Sequence, residues 1–162
     1  EENLPNLRDS LTALAALYEQ IINKIQADSA AVEFIPTLRP TVPGAAITAR
    51  FGFQPDPFSG KIKPHRGIDF AFDVGAPVFA AASGVVTFSG KEKWFGNVIR
   101  LSHGTEWETL YAHLDALAVA RGQRVKKGQR IGTLGSSGRS IGPHLHYEVT
   151  RGSKHFDPEL LF

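Results

Sequence analysis

Near the end of the chain, Gly142-Pro143-His144-Leu145-His146-Tyr147-Glu148-Val149 sets two histidines at i, i+2 within an alternating run. Read as a strand, His144, His146 and Glu148 face one side, and Leu145, Tyr147 and Val149 the other. Imidazoles opposite an apolar face point to chemistry carried on the surface of a core. In His65-Arg66-Gly67-Ile68-Asp69-Phe70 an extended chain puts His65, Gly67 and Asp69 on one face and Ile68 and Phe70 on the other. A helix would also bring i and i+4 together, but Gly67 favours the strand. In the run 107–114, the odd positions Trp107, Thr109, Tyr111 and His113 share a side. His65, Asp69, His113, His144 and His146 thus form a set of five groups suited to zinc. That metal takes tetrahedral nitrogen and oxygen ligands and, in catalytic sites, keeps one position for water. The set exceeds the three protein ligands such a site needs, so two imidazoles are left to serve as general base and oxyanion stabiliser. Spacing alone does not say which histidine of the pair binds metal.

These groups need strands to hold them. Beyond residue 43, glycine and proline punctuate short β-branched and aromatic runs, which predicts a mainly β domain with strands at 67–72, 77–82, 84–89, 97–103, 107–114, 129–134 and 144–150. The turns Ser83-Gly84 and Gly104-Thr105 predict antiparallel hairpins, and no helical pattern separates the strands as a parallel sheet would require. Upstream, Leu4, Leu7, Leu11, Leu14, Tyr18, Ile21 and Ile25 alternate by three and four, which predicts an amphipathic or coiled-coil helix over 4–27. Ala15, Leu17 and Ile22 widen its stripe. The stripe suits either a second copy or partner helix, or docking on the chain's own domain. Between them, three prolines from residue 36 to 43 read as an extended linker. The expected organisation is a helical segment at 1–35, a proline-rich linker at 36–46 and a β domain at 47–162.

At 162 residues and 42% apolar composition, the chain can bury one substantial core and carry an appendage. The excess of 18 basic over 16 acidic side chains is too slight to announce a nucleic-acid partner, and none is expected. Without cysteine there is no disulfide framework and no thiolate ligand, so a metal must rest on imidazole and carboxylate. The lack of methionine, position 1 included, reads as a processed or trimmed chain. No signal or transmembrane run is present, and membrane anchoring is expected only from sequence upstream of residue 1.

His-x-x-x-Asp at 65–69, Tyr-Ala-His-Leu at 111–114 and Gly-Pro-His-Leu-His-Tyr-Glu at 142–148, in this order, resemble the M23 zinc metallopeptidases, the lysostaphin-like, LytM-type peptidoglycan endopeptidases. The likeness extends over about 48–158. It takes in Arg50-Phe51-Gly52, Leu101-Ser102-His103-Gly104, the run from Val125 to Gly132, and the loop Gly135-Ser136-Ser137-Gly138-Arg139-Ser140. The resemblance implies an antiparallel β core with an open substrate groove and one zinc ion per chain. It implies His65, Asp69 and His146 as zinc ligands and His113 and His144 as catalytic residues. It further implies peptidoglycan peptides as substrate and a place in the bacterial cell envelope, periplasmic or secreted. The competing function is a non-catalytic relative that binds cell wall or activates another hydrolase through its helix. Such relatives lack zinc ligands, whereas this chain has the full set.

The other candidates read differently. His103 shares a face with Ile99 and Leu101 and precedes a turn glycine, so a structural role is expected. His155, in a polar stretch, is expected in solvent. Glu148 suits either an orienting partner of an imidazole or a solvated strand end. Tyr111 reads as core or groove wall. The glycine-rich loop lacks the Gly-x-x-x-x-Gly-Lys-Ser/Thr pattern and a following helix, so it is expected to line the groove rather than hold phosphate. Arg121, Arg124, Lys126, Lys127 and Arg130 read as a solvated hairpin.

Overall fold

A computed structural model describes residues 4–104 and 106–162, which fall into two compact units, Glu1–Glu33 and Phe34–Phe162. The first is a helix, α1 (Leu4–Val32), with Pro5 in its opening turn and no glycine along its length. It runs five residues beyond the expected end at 27. Leu11, Leu14, Tyr18 and Ile21 of the apolar stripe, with Leu17 and Ile22 beside it, are exposed. The side chains of Leu4, Leu7 and Ile25 lie outside the described residues. Among the described residues, no helix is long and apolar enough to cross a membrane.

The strands of the second unit all pair antiparallel, and a short 3-10 helix (Pro158–Leu160) follows them. The strands are β1 (Ala46–Ala49), β2 (Gly52–Pro55), β3 (Ile62–His65), β4 (Ile68–Ala71), β5 (Pro77–Phe79), β6 (Gly84–Glu92), β7 (Gly96–His103), β8 (Trp107–Leu117), β9 (Arg124–Val125), β10 (Arg130–Leu134), β11 (His144–Arg151) and β12 (Lys154–Phe156). The main sheet runs β1-β4-β11-β8-β7-β6-β9, with β10 against β5 and β8 and β12 against β11; β2 and β3 form a separate hairpin. The predicted Gly104-Thr105 connection does join the antiparallel pair β7–β8, although Thr105 itself lies outside the described residues. The Ser83-Gly84 hairpin is not formed: β5 pairs with β10, and β6 with β7 and β9. Nor is there a basic hairpin, because β9 pairs with β6 while β10 pairs with β5 and β8. Arg121, Arg124, Lys126 and Arg130 are exposed, as solvated charges should be, while Lys127 Nζ donates to Thr37 Oγ1 at 2.6 Å.

The proline-rich segment runs along this unit. Leu38 N donates to Ala81 O at 3.2 Å and Phe79 N to Pro40 O at 2.9 Å, while Pro36, Pro40, Thr41 and Ala45 are buried. One face of the sheet carries the main core, with Ile68, Phe70, Ile99, Leu101, Tyr111, Leu114, Leu145, Tyr147 and Val149 all fully buried. Burying each such large apolar side chain is worth about 1.5–3 kcal/mol. The other face carries a smaller cluster of Val98, Leu110 and Ala112 with Phe88 and Phe95 packed on it. The alternation expected for β11 holds: Leu145, Tyr147 and Val149 enter the core and His144 and His146 point away from it.

At two places the chain departs from simple alternation. His65 and Asp69 were expected on one strand, but β3 ends at His65 and β4 begins at Ile68, and the two strands belong to different sheets. The crossing between them passes so close to β11 that a Cβ on Gly67 would lie 2.3 Å from the Tyr147 carbonyl oxygen. Gly67→Ala is therefore expected to cost about 1–3 kcal/mol, because the obstacle is main chain and cannot swing aside. A urea unfolding curve with an unshifted midpoint would contradict this.

Candidate functional site

The register of β11 against β4 sets His146 directly opposite Asp69. On a shared face, that places His146 Nδ1 2.7 Å from Asp69 Oδ1. His65, delivered from the hairpin strand β3, puts its Nε2 3.1 Å from His146 Nδ1 and 3.2 Å from Asp69 Oδ1. The far side of each imidazole fixes its tautomer. His65 Nδ1 lies 2.9 Å from the Arg50 carbonyl, which can only accept, so His65 carries its proton there and turns a lone pair inward. His146 Nε2 lies 3.0 Å from Glu148 Oε1 and donates to that carboxylate. Three donor atoms thus converge on one another, and they can hold a metal ion. Their separations approach the edge of about 3.3 Å that follows from a tetrahedron with metal–ligand bonds of about 2.0–2.1 Å. The donor set, two imidazoles and one carboxylate with a carboxylate behind an imidazole, fits zinc.

Electrostatics follow from this crowding. Burial alone would raise the Asp69 pKa, but the hydrogen bond from His146, with the His65 ring close by, outweighs it and holds the carboxyl well below the usual range. Burial would push His146 down, yet its bonds to Asp69 and Glu148 win and carry it up to about 9. Glu148 is itself buried, so the orienting role is realised and the solvated strand end is not. Phe95 covers the imidazole of His146, the rings stacked at 5.6 Å and 21°.

His113 and His144 lie beside this cluster, ring centroids 4.7 Å apart. His113 is not where alternation puts it. Tyr111 and Leu114 both enter the core, so the residues between them, Ala112 and His113, form a bulge opposite Val98, where the β7–β8 register slips. His113 has φ 60°, the left-handed region that a residue with a Cβ seldom adopts. That turn swings the ring into the cleft instead of the core. Its Nδ1 donates to the Ser137 carbonyl at 2.7 Å and its backbone N to Phe95 O at 2.8 Å. Burial pushes its pKa down to about 4, so the ring is neutral near pH 7 with the Nε2 lone pair free. His144 is held the same way, Nδ1 donating to the Gly142 carbonyl at 2.8 Å, with its Nε2 4.0 Å from Asp69 Oδ2.

The loop that supplies these carbonyls is seated by close backbone contact. Gly138 has φ 74°, and a Cβ there would lie 2.3 Å from Gly96 N. Ser137 Oγ accepts from Asn97 N and donates to Leu114 O. The loop lines a cleft of about 620 Å³ with His65, Asp69, His113, His144 and His146 at its floor and Phe58, Trp94 and Phe95 on its walls. All of the residues singled out for chemistry therefore meet in one place. Ser137, Ser140 and the carbonyls of Arg50 and Gly142 act through main chain or short contacts, and no residue-type pattern marks those. Phe58, Trp94 and Phe95 belong to no motif and carried no signal.

Three further readings can be settled. His103 is structural: it is buried, Nδ1 donating to Ser83 O at 2.9 Å and Nε2 accepting from Thr109 Oγ1 at 2.7 Å. Tyr111 is core, its hydroxyl accepting from Ala81 N at 2.9 Å. His155 is half-buried rather than free in solvent. Its place on β12 next to β11 turns it toward Glu148, with Nδ1 3.6 Å from Glu148 Oε2, buried and without a hydrogen bond.

The fold of the second unit is shared with solved peptidases. The fold matches a zinc-containing peptidase from Vibrio cholerae with a TM-score of 0.67 and 39% identity, covering 74% of this chain and 37% of that one. It matches the catalytic domain of lysostaphin from Staphylococcus simulans with a TM-score of 0.66 and 33% identity, covering 72% of this chain and 90% of that one. Residues 63–158 match the model of peptidase family M23, and the chain belongs to that family. Among curated relatives, the peptidoglycan DD-endopeptidase ShyC of Vibrio cholerae is 46% identical over 102 residues, 63% of this chain and 24% of that protein. The chain spans about a quarter of the length of the curated relatives it matches.

The backbone of His113 generates a stability prediction. A left-handed conformation costs a residue with a Cβ on the order of 1–2 kcal/mol, and glycine escapes that cost. His113→Gly should therefore be more stable than His113→Ala by about 1 kcal/mol, the reverse of the usual order of these residues in a strand. Paired thermal melts of the two variants check it, and equal midpoints would count against the strain.

Proposed function

We propose that this chain is the catalytic unit of a zinc-dependent endopeptidase that cleaves peptide cross-links of bacterial peptidoglycan in the cell envelope. The observation that carries the reading is the convergence of His65, Asp69 and His146 donor atoms within 4.8 Å of one another. Beside them stand two imidazoles that keep their Nε2 lone pairs toward the cleft. In this reading His65, Asp69 and His146 hold zinc, and His113 and His144 are catalytic. Bound there, zinc supplies a Lewis acid for a peptide carbonyl and makes water acidic enough to ionise near neutral pH. The protein's own part is proton handling and placement. Either His113 or His144 takes a proton at Nε2 from the attacking water, and the other, which enters the reaction already protonated at Nε2 from solvent, donates to the oxyanion of the tetrahedral intermediate. Main-chain carbonyls of Ser137 and Gly142 keep both Nδ1 protons in place, so neither ring can take the incoming proton at the wrong nitrogen. Glu148 fixes His146 from behind, and Phe95 shields it from water. The helical segment 1–35, the connection 36–46 and the peptidase domain 47–162 are the proposed organisation, and the exposed stripe of α1 is where a second copy or a partner helix would pack.

Two classes of variant test the assignment. His146→Ala should lose zinc by elemental analysis. His113→Ala should keep its zinc and release cross-linked fragments from peptidoglycan about 100-fold more slowly. The opposite pattern would reverse the roles, and fragment release by the unaltered protein that a chelator leaves untouched would remove the metal from the mechanism.

Proton linkage offers a test that needs no substrate. Metal-free His146 has its pKa raised to about 9, so it is protonated at pH 7 and must lose that proton to bind metal. Zinc loading at pH 7 is expected to release about one proton, with affinity falling as pH drops. Glu148→Gln, which removes one of the two carboxylates holding the charge, should reduce that release. Calorimetry in buffers of different ionisation enthalpy measures it, and zero release would show that His146 is neutral beforehand.

A further inference from the structure

Few charged groups reach the upper walls of the cleft. Among the described residues lining it, Arg139 is the only lysine or arginine. It stands on the loop between Ser137, which holds His113, and Ser140, which contacts His144, and its backbone N donates to Trp94 O at 2.9 Å. The guanidinium carbon lies 4.0 Å from the centroid of Phe58 and 5.6 Å from that of Trp94, so aromatic rings on two different elements fix its plane.

Among the described residues Arg139 has one acceptor, Asp56 Oδ1, at 3.2 Å from Nη2. That carboxylate is already heavily used. Oδ1 also accepts from Phe58 N, Ser59 N and Ser59 Oγ, and Oδ2 pairs with Lys63 Nζ at 3.2 Å. Asp56 thus meets two cations, Lys63 and Arg139, with one negative charge, so the trio keeps a net positive charge. A residue serving only to tie the β2–β3 hairpin to the loop would turn its fork onto Asp56. Here a single N–H is spent, out of the five that a guanidinium offers. What such a half-exposed, planar and underused fork selects is a carboxylate, through two parallel N–H···O bonds.

We infer that Arg139 is a specificity-determining residue that anchors a free carboxylate of the peptide bound in the cleft. The inference rests on the endopeptidase reading for the nature of that peptide. Two sources offer the same chemistry, the α-carboxylate ending a peptide stem and a side-chain carboxylate within it.

Calorimetric titration of the zinc-loaded protein with an uncross-linked stem peptide separates them. The peptide is used in three forms: both carboxylates free, the α-carboxylate amidated, and the side-chain carboxylate amidated. One amidation is expected to weaken binding about 10-fold or more, identifying the carboxylate that is held. Arg139→Gln should erase that difference while leaving the affinity of the affected amide unchanged. Arg139→Lys, which keeps charge without the fork, should retain only part of it, and it decides the matter should the glutamine variant not fold. Equal binding of all three forms, binding of none, or a uniform loss in both variants would each overturn the anchor. Cleavage of cross-linked muropeptides is followed in parallel. Cleavage without carboxylate discrimination sinks the anchor and leaves the endopeptidase reading standing; discrimination without cleavage does the reverse.

Discussion

Lone pairs that face one another repel, and much of the second unit is arranged to hold three of them at one point. His65 Nε2, His146 Nδ1 and Asp69 Oδ1 sit 2.7–3.2 Å apart, a distance that demands a cation or a proton between them. Nothing local to any one of these residues favours that meeting. It is imposed from outside, by the pairing of β11 with β4, by the glycine crossing that brings β3 over β11, and by acceptors behind each ring. The core behind the sheet provides the rigidity. Ile68, Phe70, Leu145 and Tyr147 flank the site residues in sequence and are buried on the opposite face. Each strand therefore spends alternate residues on stability and on crowding charge.

His113 shows the same opposition in the backbone. A regular strand would carry its ring into the core beside Tyr111. The bulge and the left-handed φ bring it out again, and Ser137, Phe95 and the glycines of the facing loop hold it there. Strain at such a position persists only where surrounding contacts over-determine it. Here the contacts come from β7, β8 and the 135–143 loop together, so the placement of one imidazole depends on three separate parts of the chain.

The sequence revealed the β class, the long strands and the identity of the clustered residues, because those features rest on alternation and on residue type. β11 shows this best: its pattern alone put two histidines on one face, and they are there. Where alternation failed, a physical competitor had won. For His65 and Asp69 it was a sheet change at Gly67, and for His113 a bulge, neither of which leaves a periodic trace. The short strands β1, β2, β3, β9 and β12 went unseen because they run along edges or carry proline and lysine, and so have little apolar periodicity. Pairings between distant segments, such as β5 with β10, depend on chain closure and no local pattern encodes them. The division of labour within the histidine pair was legible only through family resemblance, and His155 was misread because a polar neighbourhood in sequence does not mean water in space.

The acceptors behind His65, His113 and His144 are the carbonyls of Arg50, Ser137 and Gly142, all main-chain atoms. Every amino acid has that carbonyl. Provided the loop keeps its path, side chains of the 137–142 stretch that neither touch the rings nor seat the loop, Arg139 and Ile141 among them, can be exchanged without altering the proton positions of the imidazoles beneath. Arg139 lies within that stretch, with its backbone tied to Trp94 and its side chain in the cleft. The fold thereby separates the side chains presented to the cleft from the atoms that orient its imidazoles, so descendants of one such chain can vary the first while inheriting the second intact.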